Sequence, residues 1–450
     1  MKDSIVRNGL VVAIIVLFVV AGIFPSIGGT ILGRYGSQDN KMSFIGFKTR
    51  SNIFYVGGNG SGNYTNIQDA IDDASDGDTI FVYDDLSPYH ENLVVDKPII
   101  LVGEDRDTTI IDGNNLGNVV YISANGVDIS RFTIQNSGSE VNNAGIRINS
   151  DHNIINGNNI NSNNMDGIWL YFSSENTISD NSISSNSDDA VVLHESNNNT
   201  ISNNIISFND GNGIIIHYPS NNNFIFGNTI HSNNADGVHI NASNNYIYHN
   251  NFIHNLRNAY GEANNTWDND FFSGGNYWSE YTGDDNYHGP NQNIPGPDRI
   301  GDNPYKLPSE HGTDYYPVIC LNGWLNEAPE NISIGGTIYG KASVEYTYNS
   351  SADDPDGDPI YYIFDWSDGS YSSWLGPYPS GIGTSDSHSW KKGIFDIKVK
   401  TKDTRGLESN WSKPFRINMP KNKASYNRLF LQFLEQFPLI ERILSLIKII

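Results

Sequence analysis

Between residues 153 and 266 the sequence repeats itself at a step of 22–24 residues. Asparagines at 153, 176, 199, 223 and 245 open five segments, at steps of 23, 23, 24 and 22. Two positions after each comes isoleucine: Ile155, Ile178, Ile201, Ile225 and Ile247. Five positions in is a second Asn (158, 181, 204, 228, 250), and ten positions in a third (163, 186, 209, 233, 255). Between these, at seven, stands Ile160, Ile183, Ile206, Ile230 or Phe252. Fourteen positions in, the residue is small: Gly167, Ala190, Gly213, Gly237 or Ala259.

A repeat of this period is the mark of a solenoid. Each unit holds several very short β-branched runs and none with helical period. One unit alone cannot bury its aliphatic side chains. Coils stacked at ~4.8 Å place each Ile over its equivalent and form a continuous core. Each buried Ile or Leu then contributes roughly 1.5–3 kcal/mol. The Asn columns are expected at the corners, where Asn tolerates left-handed backbone and its amides can bond along the axis. The small residue marks a tight bend before the last strand. No L-x-x-L-x-L pattern is present, which excludes a leucine-rich repeat. The expectation is an all-β chain built on a right-handed parallel β-helix.

The rest of the chain is organised around that solenoid. Lys2 and Arg7 precede an apolar run from Leu10 to Phe24, so residues 1–29 read as a signal peptide or membrane anchor. Ile67–Ala74 is amphipathic, with Asn66 or Thr65 as its expected cap, and covers the open N-terminal end. The β-helix is expected over 52–325. After Trp324 the composition shifts to short alternating strands with turn signals, which argue an antiparallel β-sandwich over 326–418. Apolar residues at helical spacing follow over 425–450, broken by Pro438, and suit an amphipathic surface or docking helix. Net charge is −24, from 51 acidic and 27 basic residues, which argues against nucleic-acid binding. Cys320 is the single cysteine, so stability must come from stacking rather than from disulfides within the chain.

Several segments resemble known families. Tyr55-Val56-Gly57-Gly58, Ile67-Gln68-x-Ala70-Ile71, Gly77-Asp78-Thr79-Ile80 and Tyr89-x-Glu91 resemble the opening of pectate-lyase-like β-helices. The coils resemble the NosD family of periplasmic copper-binding β-helix proteins. So does the exit, with Gly275-Asn276-Tyr277-Trp278-Ser279-x-Tyr281, Gly301-Asp302-x-Pro304-Tyr305 and Asp314-Tyr315-Tyr316-Pro317. This resemblance spans about 52–320 and implies a β-helix with an aromatic C-terminal cap. The segment after 326 resembles PKD or other Ig-like modules of surface proteins.

Strand alternation points Ile168, Leu170 and their equivalents inward. It points Trp169, Val192, Ile215 and His239 outward, with Tyr171, His194, His217 and Asn241. Asp166, Asp189, Asn212 and Asp236 stand one position before the small residue. The outer face is thus expected to display a ligand surface of Trp169, Tyr171, His194, His217, His239, Asp166, Asp189 and Asp236. Aromatic faces stack on sugar rings while Asp and Asn bond hydroxyls, so the partner is a polysaccharide or surface glycan. His194 and His217, one coil apart, are the alternative copper ligands. Each of these residues also has a plain reading as an ordinary outward ladder position. Asp188-Asp189 resembles the paired carboxylates of polygalacturonases, but it falls in the repeat's turn column and no Gly-His-Gly follows. No catalytic residue is assigned. Asp284, Asp285, Asp298 and Asp302 form one oxygen-rich candidate for calcium, and Asp354, Asp356, Asp358, Asp365 and Asp368 another.

The sequence therefore reads as an extracellular or cell-surface protein, secreted or membrane-anchored, for glycan recognition, adhesion or envelope architecture. Other envelope proteins are further partners, and the terminal segments are its membrane contacts. The rival readings are a polysaccharide-active hydrolase or lyase and a NosD-like copper-binding or maturation factor.

Overall fold

Each repeat folds into one coil of three short strands, and successive coils pair in parallel. The computed structural model describes residues 51–420, apart from 262–263, 272 and 309–311. The expected signal or anchor over 1–29 and the expected helix over 425–450 lie outside the described residues. Among the described residues no helix is long and apolar enough to cross a membrane.

Three parallel sheets of nine, eight and eight strands form the walls of the β-helix. The first runs from Ile53–Val56 to Tyr246–Tyr248 and the second from Ile110–Asp112 to Tyr277–Trp278. The third runs from Leu93–Val95 through Asp166–Tyr171 and Val191–His194 to Arg257–Gly261. Register follows the sequence repeat: Ile155 pairs with Ile178, Ile178 with Ile201, and Ile201 with Ile225. These columns are completely buried and belong to one core running the length of the solenoid. A Cβ at Gly167 would come within 2.6 Å of the Ala190 carbonyl oxygen, which explains the small residue at the bend.

The Asn columns differ from expectation in an informative way. The left-handed residue is the one just before each ladder Asn: His152, Glu175, Asn198, Asn222 and Asn244 in one column, all with φ between 57° and 61°. That position accepts varied side chains. The next residue must be Asn because its amide bonds in several directions at once. Asn204 Oδ1 accepts from Asn181 N at 3.0 Å and Asn181 Nδ2 at 3.1 Å. Its own Nδ2 donates to Ile178 O at 2.9 Å and Asn228 Oδ1 at 3.0 Å. Three such ladders run along the axis, with Asn153, Asn158 and Asn163 as early rungs. They answer the backbone groups that the turns leave unpaired inside the protein.

Both ends are closed. Ile67, Ala70 and Ile71 of the helix Ile67–Asp73 bury against the first coils. Asn66 makes no side-chain cap bond. Glu91 does that work instead, accepting from Ile67 N at 2.8 Å and Gln68 N at 2.9 Å. Lys97 Nζ bonds the carbonyls of Ile71 and Asp72 at the other end, so both helix termini meet the opposite charge. At the exit, Phe252, Trp278 and Tyr305 stack in series with ring centroids 4.6 and 4.4 Å apart. The second ladder ends on Asn276, whose N donates to the buried Asp314 at 2.7 Å. Trp278 Nε1 donates to the same carboxylate at 2.9 Å.

From Glu330 the chain forms antiparallel sheets of three and four strands around Tyr348, Tyr362, Phe364, Trp366 and Trp390. Buried Asp356 links this sandwich to the β-helix exit. It accepts from Arg299 at 2.5 Å and from Glu327 N at 2.6 Å, and pairs with Arg405 at 3.2 Å.

Asn204→Ala strands the buried Asn181 N–H and Ile178 carbonyl, and is expected to cost on the order of 3 kcal/mol. Asn161→Ala, on an outer strand face, is expected to change stability by less than about 0.5 kcal/mol. Denaturant unfolding of the two variants measures both.

Candidate ligand-binding face

The ladders hold the coils in register, so outward side chains of the third sheet line up in columns. One column reads Tyr121, Arg147, Trp169, Val192, Ile215, His239 and Tyr260. Beside it, Tyr171 pairs with His194. Their rings stack at 5.4 Å and 27°, and His217 follows at 5.7 Å from His194. Val192 and Ile215 are only 4% and 9% exposed although they stand in this outward column. The inward set, Ile168, Leu170, Val191, Leu193, Ile214, Ile216, Val238 and Ile240, is fully buried.

The carboxylates sit differently from expectation. Asp166 and Asp236 are 3% and 5% exposed, so the outer face does not display them. At the bend they bond along the axis instead. Asp189 N donates to Asp166 Oδ1 at 3.1 Å, and Asn212 N and Nδ2 donate to Asp189 Oδ1 at 2.6 and 2.8 Å. Asp236 N donates to Asn212 Oδ1 at 3.0 Å. Asp236 also receives Arg257 through Nε at 2.7 Å and Nη2 at 2.6 Å, and His239 Nδ1 lies 2.7 Å from its Oδ2. Arg257 and His239 hold the Asp236 carboxyl below the usual range against the opposing pull of burial. Arg257 also covers Tyr260, which stacks on His239 at 4.8 Å. This end of the face is an internally satisfied network.

The middle is not. Asp166, Asp188 and Asp189 place ligand oxygens within 4.8 Å of one another. Burial, then the charges of Asp189 and Asp188, push Asp166 up to about 8. Burial raises Asp188 and Asp189 as well. Asp166 therefore holds a proton at neutral pH beside two groups of the same kind, an arrangement suited to acid–base chemistry. At the other end, the Arg147 guanidinium lies 5.4 Å from the ring centroids of both Trp169 and Tyr171.

The copper candidates provide a limited donor set. Burial, then His194 and His239, lower the His217 pKa, which favours the neutral imidazole that metals bind. Among the described residues, two groups of three or more His, Cys, Asp or Glu side chains bring ligand atoms within 4.8 Å of one another, and neither contains a histidine. Two imidazoles fall short of the three or more ligands of a resident copper centre.

The calcium candidates divide. Asp284, Asp285, Asp298 and Asp302 do not gather into such a group. Asp302 accepts from Asn286 N and Tyr287 N, and Asp285 from Asp298 N and Arg299 N. Asp298 accepts from Gln292 Nε2 and Ile300 N. These carboxylates staple the cap loop. Asp354, Asp356 and Asp358 do gather, but Arg299 and Arg405 already neutralise Asp356, and Arg405 bonds Asp358 at 2.7 Å. Asp365 and Asp368 accept from nearby Ser367 N and Ser370 N.

Arg147, Asp188, Tyr121, Arg257 and Tyr260 join the face without having been assigned to it from sequence. Extending the Trp169 register one coil toward the N-terminus reaches Arg147, across an insertion that hides it. Asp166 also predicts a pH dependence. The unfolded chain ionises it near its usual value and the folded chain only near 8, so stability is full in acid and falls as pH rises through that window. The melting temperature is expected to decline from about pH 5 to pH 8, and less steeply in Asp166→Asn, measured by thermal unfolding at stepped pH.

Comparison with known proteins places this geometry. Residues 71–283 match the family described as "Periplasmic copper-binding protein (NosD)". No curated protein matches the chain. The PKD domain of an M14-like peptidase from Thermoplasmatales archaeon SCGC AB-540-F20 is 36% identical over 22% of this chain and 100% of that one, with a TM-score of 0.21. A double mutant of the periplasmic alginate epimerase AlgG is 18% identical over 42% of this chain, with a TM-score of 0.34. This chain spans 50% of the epimerase's length. Pectate lyase Pel9A is 14% identical over 48% of this chain and 77% of that one, with a TM-score of 0.31. The family match falls on the coils whose ladders and registers are described above, and this part of the chain is a NosD-like parallel β-helix.

Proposed function

We propose that this chain is an exported surface protein that binds polysaccharide along the outer face of its third sheet. The observation that carries this reading is the unbroken outward column from Tyr121 to Tyr260, with Tyr171, His194 and His217 beside it. Aromatic and imidazole rings recur there at the ~4.8 Å strand spacing. Polar groups flank them, and two nearly buried aliphatics, Val192 and Ile215, lie between. A linear polymer can contact several coils at once, which multiplies weak single-sugar contacts. Export is supported by Lys2 and Arg7 before the Leu10–Phe24 run and by a family description that is periplasmic. In this reading the sandwich and the terminal segments serve adhesion and envelope attachment.

A second reading, cleavage of the bound glycan, is favoured by one observation: the Asp166, Asp188 and Asp189 cluster beside the same face. In it the partly exposed Asp188 or Asp189 meets the glycan, and the buried, protonated Asp166 beside it is the source of the proton for the leaving oxygen. Copper, which the family description names, finds only the His194 and His217 pair, so no step is routed through it.

Trp169→Ala combined with Tyr171→Ala is expected to weaken polysaccharide binding about 10-fold or more with the melting temperature nearly unchanged. Affinity electrophoresis against a panel of soluble polysaccharides measures this, and unchanged mobility would rule out the face as the binding surface. If the second reading holds, polymers that bind release new reducing ends, and Asp166→Asn stops the release without loss of binding. Binding with no release in the wild-type protein eliminates cleavage.

A further inference from the structure

Arg147 is a cation without a counter-charge in a chain of net charge −24. Arg257, on the same sheet, is bidentate on Asp236. Arg147 has no ion pair among the described residues. Its Nε donates to Asn149 Oδ1 at 3.1 Å and its Nη1 to Asn142 O at 3.0 Å. Both acceptors are neutral, and Nη2 has no protein partner among the described residues. Acidic side chains are abundant, yet none has been brought to this guanidinium.

A second unanswered donor lies next to it. The Trp169 indole Nε1–H is shielded from solvent and has no acceptor. The Arg147 guanidinium lies over this ring and over that of Tyr171, contacts that carry no negative charge. A buried donor without an acceptor is costly, and beside it the half-exposed Arg147 guanidinium is the group that a ligand can reach. The missing group accepts hydrogen bonds and is negative. A carboxylate does both, and its planar geometry fits the guanidinium fork. Hydroxyls of a neutral sugar accept bonds but leave the charge unanswered. Repulsion from the rest of this acidic chain is screened beyond about 8 Å at physiological ionic strength.

We infer that the Arg147 end of the face is a subsite for a uronate residue of an acidic polysaccharide, with Arg147 holding the sugar carboxylate and Trp169 and Tyr171 holding the ring. This rests on the polysaccharide-binding reading and specifies the charge of the polymer. Arg147 is the specificity-determining residue, while the rings provide affinity for any polymer.

The test is titration calorimetry of the full chain at 0.15 M salt with polygalacturonate, alginate and the carboxyl-reduced, neutral form of each. The expected result is that at least one acidic polymer binds about 10-fold or more tightly than its reduced form. Arg147→Gln is expected to bind the acidic and reduced polymers alike, near the wild-type affinity for the reduced one, and Trp169→Ala to weaken both. The wild-type comparison needs no variant and so does not depend on variant folding. Equal or tighter binding of the reduced polymers by the wild-type chain overturns the uronate subsite but leaves polysaccharide binding standing. Full discrimination retained by Arg147→Gln overturns the role of Arg147. Binding to none of the four polymers overturns both.

Discussion

The structure depends on one interaction: a buried Asn amide that accepts from the Asn before it and donates to the Asn after it. At Asn181 the amide oxygen accepts from Asn158 N at 2.9 Å and Nδ2 at 3.1 Å, while its Nδ2 reaches Ile155 O at 2.8 Å. Three ladders of this kind leave little freedom to slide or rotate one coil on the next. A coil displaced by one residue would turn every Ile outward and break every rung. The axial register of the outer face follows from these interior bonds, not from anything on the face itself.

That rigidity shapes the chemistry. Side chains on adjacent coils are held about 4.8 Å apart, so like residues stack and unlike charges must pair or remain exposed to a ligand. At the C-terminal end of the face, Asp236, His239 and Arg257 satisfy one another. At the N-terminal end Arg147 and Trp169 do not. Between them, axial stacking brings together three carboxylates that an irregular surface would keep apart, and burial keeps Asp166 protonated. The ladder thus supplies a rigid frame, and the residues that depart from the ladder's chemistry mark where a partner belongs.

The fold was legible because its cause is periodic. Stacked Ile155, Ile178 and Ile201 and the Asn columns carry the same information in sequence and in space. The sequence is silent where a contact is not periodic. The Asn were assigned to the left-handed corner, which belongs to their predecessors, because composition alone cannot separate a residue that tolerates a turn from one that bonds across it. Asn66 looked like a helix cap, but the cap is Glu91, supplied from the next coil. Standing one position before the small residue, Asp166 and Asp236 read as part of the outer face, yet the bend turns them into an axial chain. Arg147 was in view as a residue of a closing strand, but its isolation from any carboxylate exists only in three dimensions.

One face of a ladder-pinned β-helix is proposed to hold an extended glycan. Hydrogen–deuterium exchange with and without a bound polysaccharide tests it most directly. The strands Ala144–Ile148, Asp166–Tyr171 and Val191–His194 of the third sheet are predicted to gain protection, with the first two sheets unchanged. Protection confined to the sandwich, or to the outer faces of the other two sheets, would contradict it.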